Sequence, residues 1–339
     1  MSSPQRRSAL LLLVIATFLS GCKRGGGKSI ETVYVSAPQA FLRDRVAPVF
    51  AKTGTVHNGD RLQVFDHQRR FVKVRTASGA EGWIEQRYLI TQQVFDHFQQ
   101  LAKESAGPVQ SPATTRTDTN LHVEPTRDAD HLFLLPSGTR LSLLKRASAA
   151  KQVSPGNSPP KGANAKDAGK ASAEDWWLVR DPQGHAGWVL GRMLDPDVPL
   201  EIAQYAEGQR IVAFFVLNQV SDGDKKVPEY LTVLTQPKDG LPFDFDQIRV
   251  FTWNVRRHRY ETAYREHNLN GVLPVTISHE DFGKEGSLPV FTLRVRDDQG
   301  QITEKKYKLN TPIVRRVYAP GEEPARPQTA RRVRGRRHR

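Results

Sequence analysis

An internal repeat limits what this 339-residue chain can fold into more than any other feature of its sequence. The segment from Phe71 to Leu89 aligns without gaps with the segment from Trp176 to Leu194. Upstream, residues 58–62 match residues 137–141. The identical pairs of the long segment are Val74/Val179, Arg75/Arg180, Gly79/Gly184, Gly82/Gly187, Trp83/Trp188, Arg87/Arg192 and Leu89/Leu194. A repeat of this kind identifies one structural unit that occurs twice.

Each copy has the pattern of short β-strands. Residues 71–75 alternate in polarity, Ala77-Ser78-Gly79 has the composition of a hairpin turn, and Gly82-Trp83-Ile84 begins a return strand. Alternation at period two with glycine at the turns predicts a small closed barrel. Between the copies, residues 92–112 predict a helix followed by a linker, because apolar side chains recur at helical spacing before a Pro/Ser/Thr stretch.

Both copies resemble bacterial SH3 domains, through a leading Leu-containing segment, a Gly-x-Arg-Leu hairpin, an aromatic-x-x-Val-Arg strand and a Gly-x-x-Gly-Trp block. The resemblance implies two SH3-like barrels, over residues 30–91 and 113–196, that bind peptidoglycan or a protein or peptide ligand. We expect one of the adjacent Trp176 and Trp177 in the core and the other exposed. The alternative interpretation makes the tryptophan of each Gly-Trp pair a core residue. The candidate ligand-binding residues are Trp83, Tyr88, Phe71, Trp176, Trp177 and Trp188.

The remaining body of the chain is also predicted to be β. Residues 199–320 contain seven apolar runs separated by Gly, Pro, Asp and Asn, which favours an all-β sandwich or barrel. The second copy carries an insert at residues 147–174 without apolar periodicity, which predicts a disordered loop. The fold class is therefore mainly β: two small SH3-like barrels and an all-β domain, with a disordered insert and a disordered Arg-rich tail at 321–339.

The N-terminus resembles that of bacterial lipoproteins. Two arginines precede a short apolar run that ends in Leu19-Ser20-Gly21-Cys22, and Cys22 is the only cysteine of the chain. The resemblance implies a signal peptide at 1–21, lipidation of Cys22 and a flexible tether at 22–29. The expected location is the cell envelope, on the periplasmic side of the outer membrane where the cell has one, because Asp does not follow the cysteine. The alternative is an ordinary signal peptide with an incidental cysteine.

The net charge of +14 is concentrated at the two termini, which contribute +5 each. An exported chain with a nearly neutral body is not expected to bind nucleic acid. Its basic clusters could instead contact an anionic surface, or could simply be solvated. Arg249 and Arg265 flank one such cluster near His258. The candidate contacts are Arg256, Arg257, Arg259, Arg331, Arg332, Arg334, Arg336 and Arg337.

The sequence lacks the motifs of common catalytic sites. It has no His-Glu-x-x-His pair, no Gly-x-Ser-x-Gly elbow and no phosphate-binding loop. We therefore expect no enzymatic activity, no cofactor and no metal. The first hypothesis is a membrane-anchored envelope lipoprotein that binds peptidoglycan or an envelope protein through its barrels. The alternative is an assembly or scaffold lipoprotein that recognises a protein partner through the C-terminal β domain; an accessory role in hydrolysis is a third.

Overall fold

The computed structural model describes residues 28–46, 51–151, 173–319 and 321. Cys22 and the signal peptide, the middle of the insert and the Arg-rich tail lie outside the described residues. The chain divides into two compact units after Gln92. The predicted mainly β class is confirmed, because antiparallel strands account for most of the described chain.

The first unit is a seven-stranded antiparallel barrel. Its strands run in the order β3-β2-β6-β5-β4-β1-β7, and a 3₁₀-helix at Gln86–Tyr88 precedes the last of them. Inward-facing aliphatic side chains form the core, which includes Leu42, Val74 and Ile84. The strands are β1 (Glu31–Val35), β2 (Gln39–Arg43), β3 (Lys52–His57), β4 (Arg61–Gln68), β5 (Phe71–Thr76), β6 (Glu81–Glu85) and β7 (Leu89–Thr91).

The second unit begins with helix α1 (Gln92–Glu104) and a sheet that repeats the first. Its strand order is β10-β9-β13-β12-β11-β8-β14. This is the order of the first barrel, with β8 to β14 in the places of β1 to β7. A 3₁₀-helix at Gly191–Met193 precedes the last strand, as in the first barrel. The strands are β8 (Ser111–Thr115), β9 (Thr119–His122), β10 (His131–Leu135), β11 (Arg140–Ala150), β12 (Ala173–Arg180), β13 (Ala186–Leu190) and β14 (Leu194–Pro196).

The C-terminal part contains two four-stranded antiparallel meanders, preceded by the short helix α2 (Leu200–Ala203). Tyr307 of the second sheet lies against Tyr264 of the first, with 5.6 Å between ring centroids. Seven strands were predicted and eight are present, the additional one being the last. The strands are β15 (Arg210–Asp222), β16 (Lys225–Thr235), β17 (Gln247–Asn254), β18 (Arg259–Glu266), β19 (Gly271–Asp281), β20 (Ser287–Arg296), β21 (Ile302–Asn310) and β22 (Ile313–Val317).

Buried polar contacts join the second barrel to the C-terminal sheets. The guanidinium of Arg146 on β11 lies 2.7 Å from Asp175 on β12 and 3.2 Å from Asp244, which precedes β17. The fully buried Gln110 side chain accepts a hydrogen bond from the Val275 amide (2.8 Å) and donates one to the Val275 carbonyl (3.2 Å). These contacts are satisfied only when both parts are folded, so the second barrel and the C-terminal sheets form one structural unit.

Candidate functional site

The first barrel carries an open cleft lined by aromatic side chains. Alternation along β5 and β6 turns Val72, Val74 and Ile84 into the core, so that Phe71 and Trp83 lie on the opposite face. Tyr88, from the 3₁₀-helix that follows β6, completes this group. The cleft has a volume of about 170 Å³, and its lining residues are Gln39, Ala40, Phe41, Arg43, Phe71, Trp83, Ile84, Glu85 and Tyr88.

Charged groups at the rim hold the aromatic rings in place. The Arg87 guanidinium lies 4.8 Å from the Tyr88 ring centroid, donates a hydrogen bond to the Tyr88 hydroxyl (2.7 Å) and pairs with Glu85 at 2.9 Å. The Lys52 ammonium lies 3.5 Å from the Phe41 ring centroid. Trp83 and Tyr88 remain half-buried, which leaves part of each ring available to a ligand. Phe71, also predicted as a ligand contact, is buried and exposed by only 5%. Flat rings beside a few charged groups suit an extended peptide.

A glycine before each tryptophan explains why the Gly-Trp pair recurs. A Cβ atom at Gly82 would lie 2.7 Å from Leu42 Cβ, and one at Gly187 would lie 2.7 Å from Leu121 Cβ. Only glycine allows the neighbouring strand to approach this closely. The approach pairs Arg43 with Trp83 in the first barrel and His122 with Trp188 in the second.

The second barrel buries the tryptophans that the sequence offered as ligand contacts. Trp176, Trp177 and Trp188 are exposed by only 2%, 8% and 8%, so the expectation that Trp176 or Trp177 is exposed is wrong. Trp176 and Trp188 belong to an apolar cluster that includes Leu101 of helix α1. The core interpretation therefore holds for Trp188, whereas Trp83 is half-buried and lines the cleft.

Neighbouring elements account for this burial on both faces. The His122 ring packs edge-on against Trp176 at 5.3 Å, and burial beside His131 lowers the pKa of His122. Trp177 projects from the other face of β12, near Gly191 and the first residues of β15. Adjacent strand residues do face opposite sides, but here both sides are covered.

The hairpin between β17 and β18 presents the predicted arginines. Arg256, Arg257 and Arg259 are exposed, and the latter two each lie 3.1 Å from the Glu261 carboxylate. Arg256 has no ion pair among the described residues. The hairpin is thus basic but partly neutralised. The tail candidates Arg331, Arg332, Arg334, Arg336 and Arg337 lie outside the described residues.

Two arginines that lie close to this hairpin in sequence, Arg249 and Arg265, instead pair with Glu207 outside the hairpin. Arg249 is 2% exposed and donates to the Tyr205 carbonyl, and Glu207 pairs with both Arg249 (2.9 Å) and Arg265 (3.3 Å). Their proximity in sequence was therefore misleading. Conversely, sequence reasoning missed Phe41 and Arg43 in the cleft. The alternation of β2, with Ala40 and Leu42 directed into the core, could have found them.

Among the described residues, no group of three or more His, Cys, Asp or Glu side chains could hold a metal ion. In the same ranges no helix is long and apolar enough to cross a membrane.

Comparison with known proteins gives one family match. Residues 40–90 match the bacterial SH3 domain family, so the first barrel is a bacterial SH3 domain. No curated protein matches the chain. Among solved structures, an NlpC/P60 family protein from Bacillus cereus is 12% identical with a TM-score of 0.24, covering 83% of this chain and 95% of that one. NlpC2 from Trichomonas vaginalis is 11% identical with a TM-score of 0.17, covering 85% and 95%.

Proposed function

We propose that the first barrel binds peptidoglycan, through the peptide part of the polymer, in the cell envelope. The observation that carries this proposal is the open cleft with the half-buried rings of Trp83 and Tyr88 beside the buried Phe71, within a segment that matches the bacterial SH3 domain family. The aromatic rings share the lining of the cleft with the charged residues Arg43 and Glu85. Such a surface can stack on a peptide chain and also bind its polar groups.

The second barrel is, on this proposal, a bacterial SH3 domain that serves for packing rather than for ligand binding. Its strand order and its Gly-Trp pair support the assignment. The counterparts of Phe71, Trp83 and Tyr88 are Trp176, Trp188 and Met193. Phe71 and Trp176 are both buried, but Trp188 belongs to the buried cluster whereas Trp83 is half-buried. These positions therefore stabilise the unit.

The chain is proposed to act by binding, from a lipid anchor at Cys22. The lipobox-like Leu19-Ser20-Gly21-Cys22 supports lipidation, and two or more acyl chains hold a protein stably at a membrane. A non-enzymatic role is supported by the position of the only cysteine at the anchor and by the lack of a catalytic motif in the sequence. Incorporation of labelled palmitate that is lost in Cys22→Ser tests the anchor.

A scaffold function remains the second candidate. It is favoured by the buried contacts of Arg146 and Gln110, which join the second barrel and the C-terminal sheets. A unit of this construction could present a protein partner with a fixed surface. On this alternative, changes in the first cleft leave partner binding intact.

Co-sedimentation of the full-length Cys22→Ser chain with purified peptidoglycan tests the first proposal. We expect binding at low and high salt, with or without residues 321–339, and loss of binding in Trp83→Ala. The matched control is Phe65→Ala, because Phe65 is a half-buried aromatic residue of the same barrel that does not line the cleft. Binding that disappears with salt or with the tail would mean charge attraction alone and would favour the scaffold function.

A further inference from the structure

A second pocket lies within the second unit, where the second barrel meets the first strand of the C-terminal sheets. Its volume is about 250 Å³. The apolar part of the lining includes Leu143, Trp177, Leu194 and Ile211. Three arginines also line it: Arg116 after β8, Arg192 in the 3₁₀-helix and Arg210 at the start of β15. The pocket thus combines an apolar interior with guanidinium groups.

The repeat shows why one of these arginines differs from its counterpart. Arg192 occupies the position of Arg87 in the first barrel, where Glu85 neutralises the arginine at 2.9 Å. The residue equivalent to Glu85 is Leu190, a buried member of the apolar cluster. Arg192 has therefore lost the carboxylate partner that its counterpart retains. Among the described residues it makes no direct ion pair, although the Glu174 carboxylate interacts with it at longer range.

The other charges around the pocket are already matched. Arg210 lies 2.9 Å from Asp239 and 3.4 Å from Asp175, and Arg116 pairs with Asp195. Asp175 is in turn held by Arg146. Arg192 is the remaining cation at this site. Glu174 acts on it only from a distance and is itself paired with Arg127, so the exposed Arg192 guanidinium can still contact an added carboxylate.

We propose that this pocket binds the C-terminal residue of a peptide. The apolar side chain of that residue enters against Trp177 and Leu143, and its carboxylate pairs with Arg192. A guanidinium can bind a carboxylate through two parallel hydrogen bonds, which selects a free acid over an amide. The volume suits one amino-acid residue, since pockets for larger ligands start at about 300 Å³. The site shares no residue with the cleft of the first barrel.

The test is calorimetric titration of the full-length Cys22→Ser chain with N-acetylphenylalanine and with N-acetylphenylalanine amide. We expect millimolar binding of the acid, and at least about tenfold weaker binding of the amide, because the charge-assisted hydrogen bonds are lost. Arg192→Gln should weaken acid binding to the level of the amide. The matched control is Arg140→Gln, since Arg140 is an exposed arginine of the same barrel that does not line the pocket.

Three results would overturn the proposal: no binding of the acid, equal binding of acid and amide, or acid binding that Arg192→Gln leaves unchanged. Binding that is lost in Trp83→Ala but kept in Arg192→Gln would assign the probe to the first cleft and would equally overturn it. Peptidoglycan binding by the first barrel is measured separately, so either proposal can fail while the other stands.

Discussion

Replacing Arg146 with methionine is expected to destabilise the second unit strongly. The Arg146 side chain is 5% exposed and lies between Asp175 and Asp244, at 2.7 and 3.2 Å. It also donates to the Phe243 carbonyl at 2.9 Å. Methionine has a similar length and is apolar, so the substitution mainly removes the charge and the donated hydrogen bonds.

The loss in the free energy of unfolding comes from the buried Asp175 carboxylate, which the substitution leaves without its main partner. Asp175 is 4% exposed, and without Arg146 it keeps the Gly240 amide at 3.0 Å and the more distant Arg210 at 3.4 Å. Removing one partner of a buried ion pair costs about 3–5 kcal/mol, because the other charge stays buried without full compensation. The unit's free energy of unfolding should fall by this amount.

Guanidinium unfolding, followed by tryptophan fluorescence and far-UV circular dichroism, measures the effect. With a slope of about 2–6 kcal/mol per molar guanidinium, the midpoint should fall by about 1 M. The matched control is Arg116→Met, since Arg116 is 54% exposed and its partner Asp195 is 56% exposed, so no carboxylate is left buried. That change should cost less than about 1 kcal/mol. If the two variants lost equal stability, the reasoning about a buried joining network would be refuted.

Two further predictions concern single contacts. Gly82→Ala should lower the first barrel's free energy of unfolding by about 1–3 kcal/mol, because the added Cβ lies 2.7 Å from Leu42 Cβ. The control in the same urea titration is Gly54→Ala in the same barrel, where the added Cβ would lie 3.4 Å from the nearest atom, Leu42 Cδ1. Burial raises the pKa of Glu266, but hydrogen bonds, the first from Tyr307 (2.6 Å), outweigh it and hold the pKa below the usual 4.5. The resulting stabilisation is present above pH 4.5 and is lost as the pH falls through the folded pKa. Urea titrations across this range should therefore show a stability gap between wild type and Tyr307→Phe that narrows in acid; a constant gap would contradict the assignment.

The barrels could be predicted from the sequence because their signals are local. The Gly-Trp pair, the alternating strand and the turn glycine all lie within 19 residues of each copy, and a close strand approach explains the invariant glycine of the pair. Helix α1 could also be predicted from local sequence, because its apolar side chains recur at helical spacing. Phe98 and Leu101, which share this apolar face, are buried. The last strand, β22, was missed because Ile313–Val317 is short and carries two arginines.

The burial of each aromatic side chain could not be predicted from the sequence, because it depends on contacts with residues distant in sequence. Trp83 and Trp188 occupy equivalent positions in the two copies, yet only Trp188 belongs to a cluster with Leu101 of helix α1. Likewise, the junction of Arg146 with Asp244 joins residues 98 positions apart. Local patterns identify the face on which a side chain lies, and the packing of other elements decides whether that face is open.

This difference in burial predicts that the same substitution lowers the stability of the two barrels by different amounts. Trp188→Ala removes a large ring that is 8% exposed within the apolar cluster, so it should cost the second unit about 3–5 kcal/mol. Trp83→Ala removes a ring that already faces the cleft, so its stability cost should be smaller, while peptidoglycan binding is lost. Paired unfolding and co-sedimentation measurements separate the two effects. A larger stability loss in Trp83→Ala than in Trp188→Ala would mean that the first tryptophan is a core residue, and the cleft would then lose its principal ligand contact.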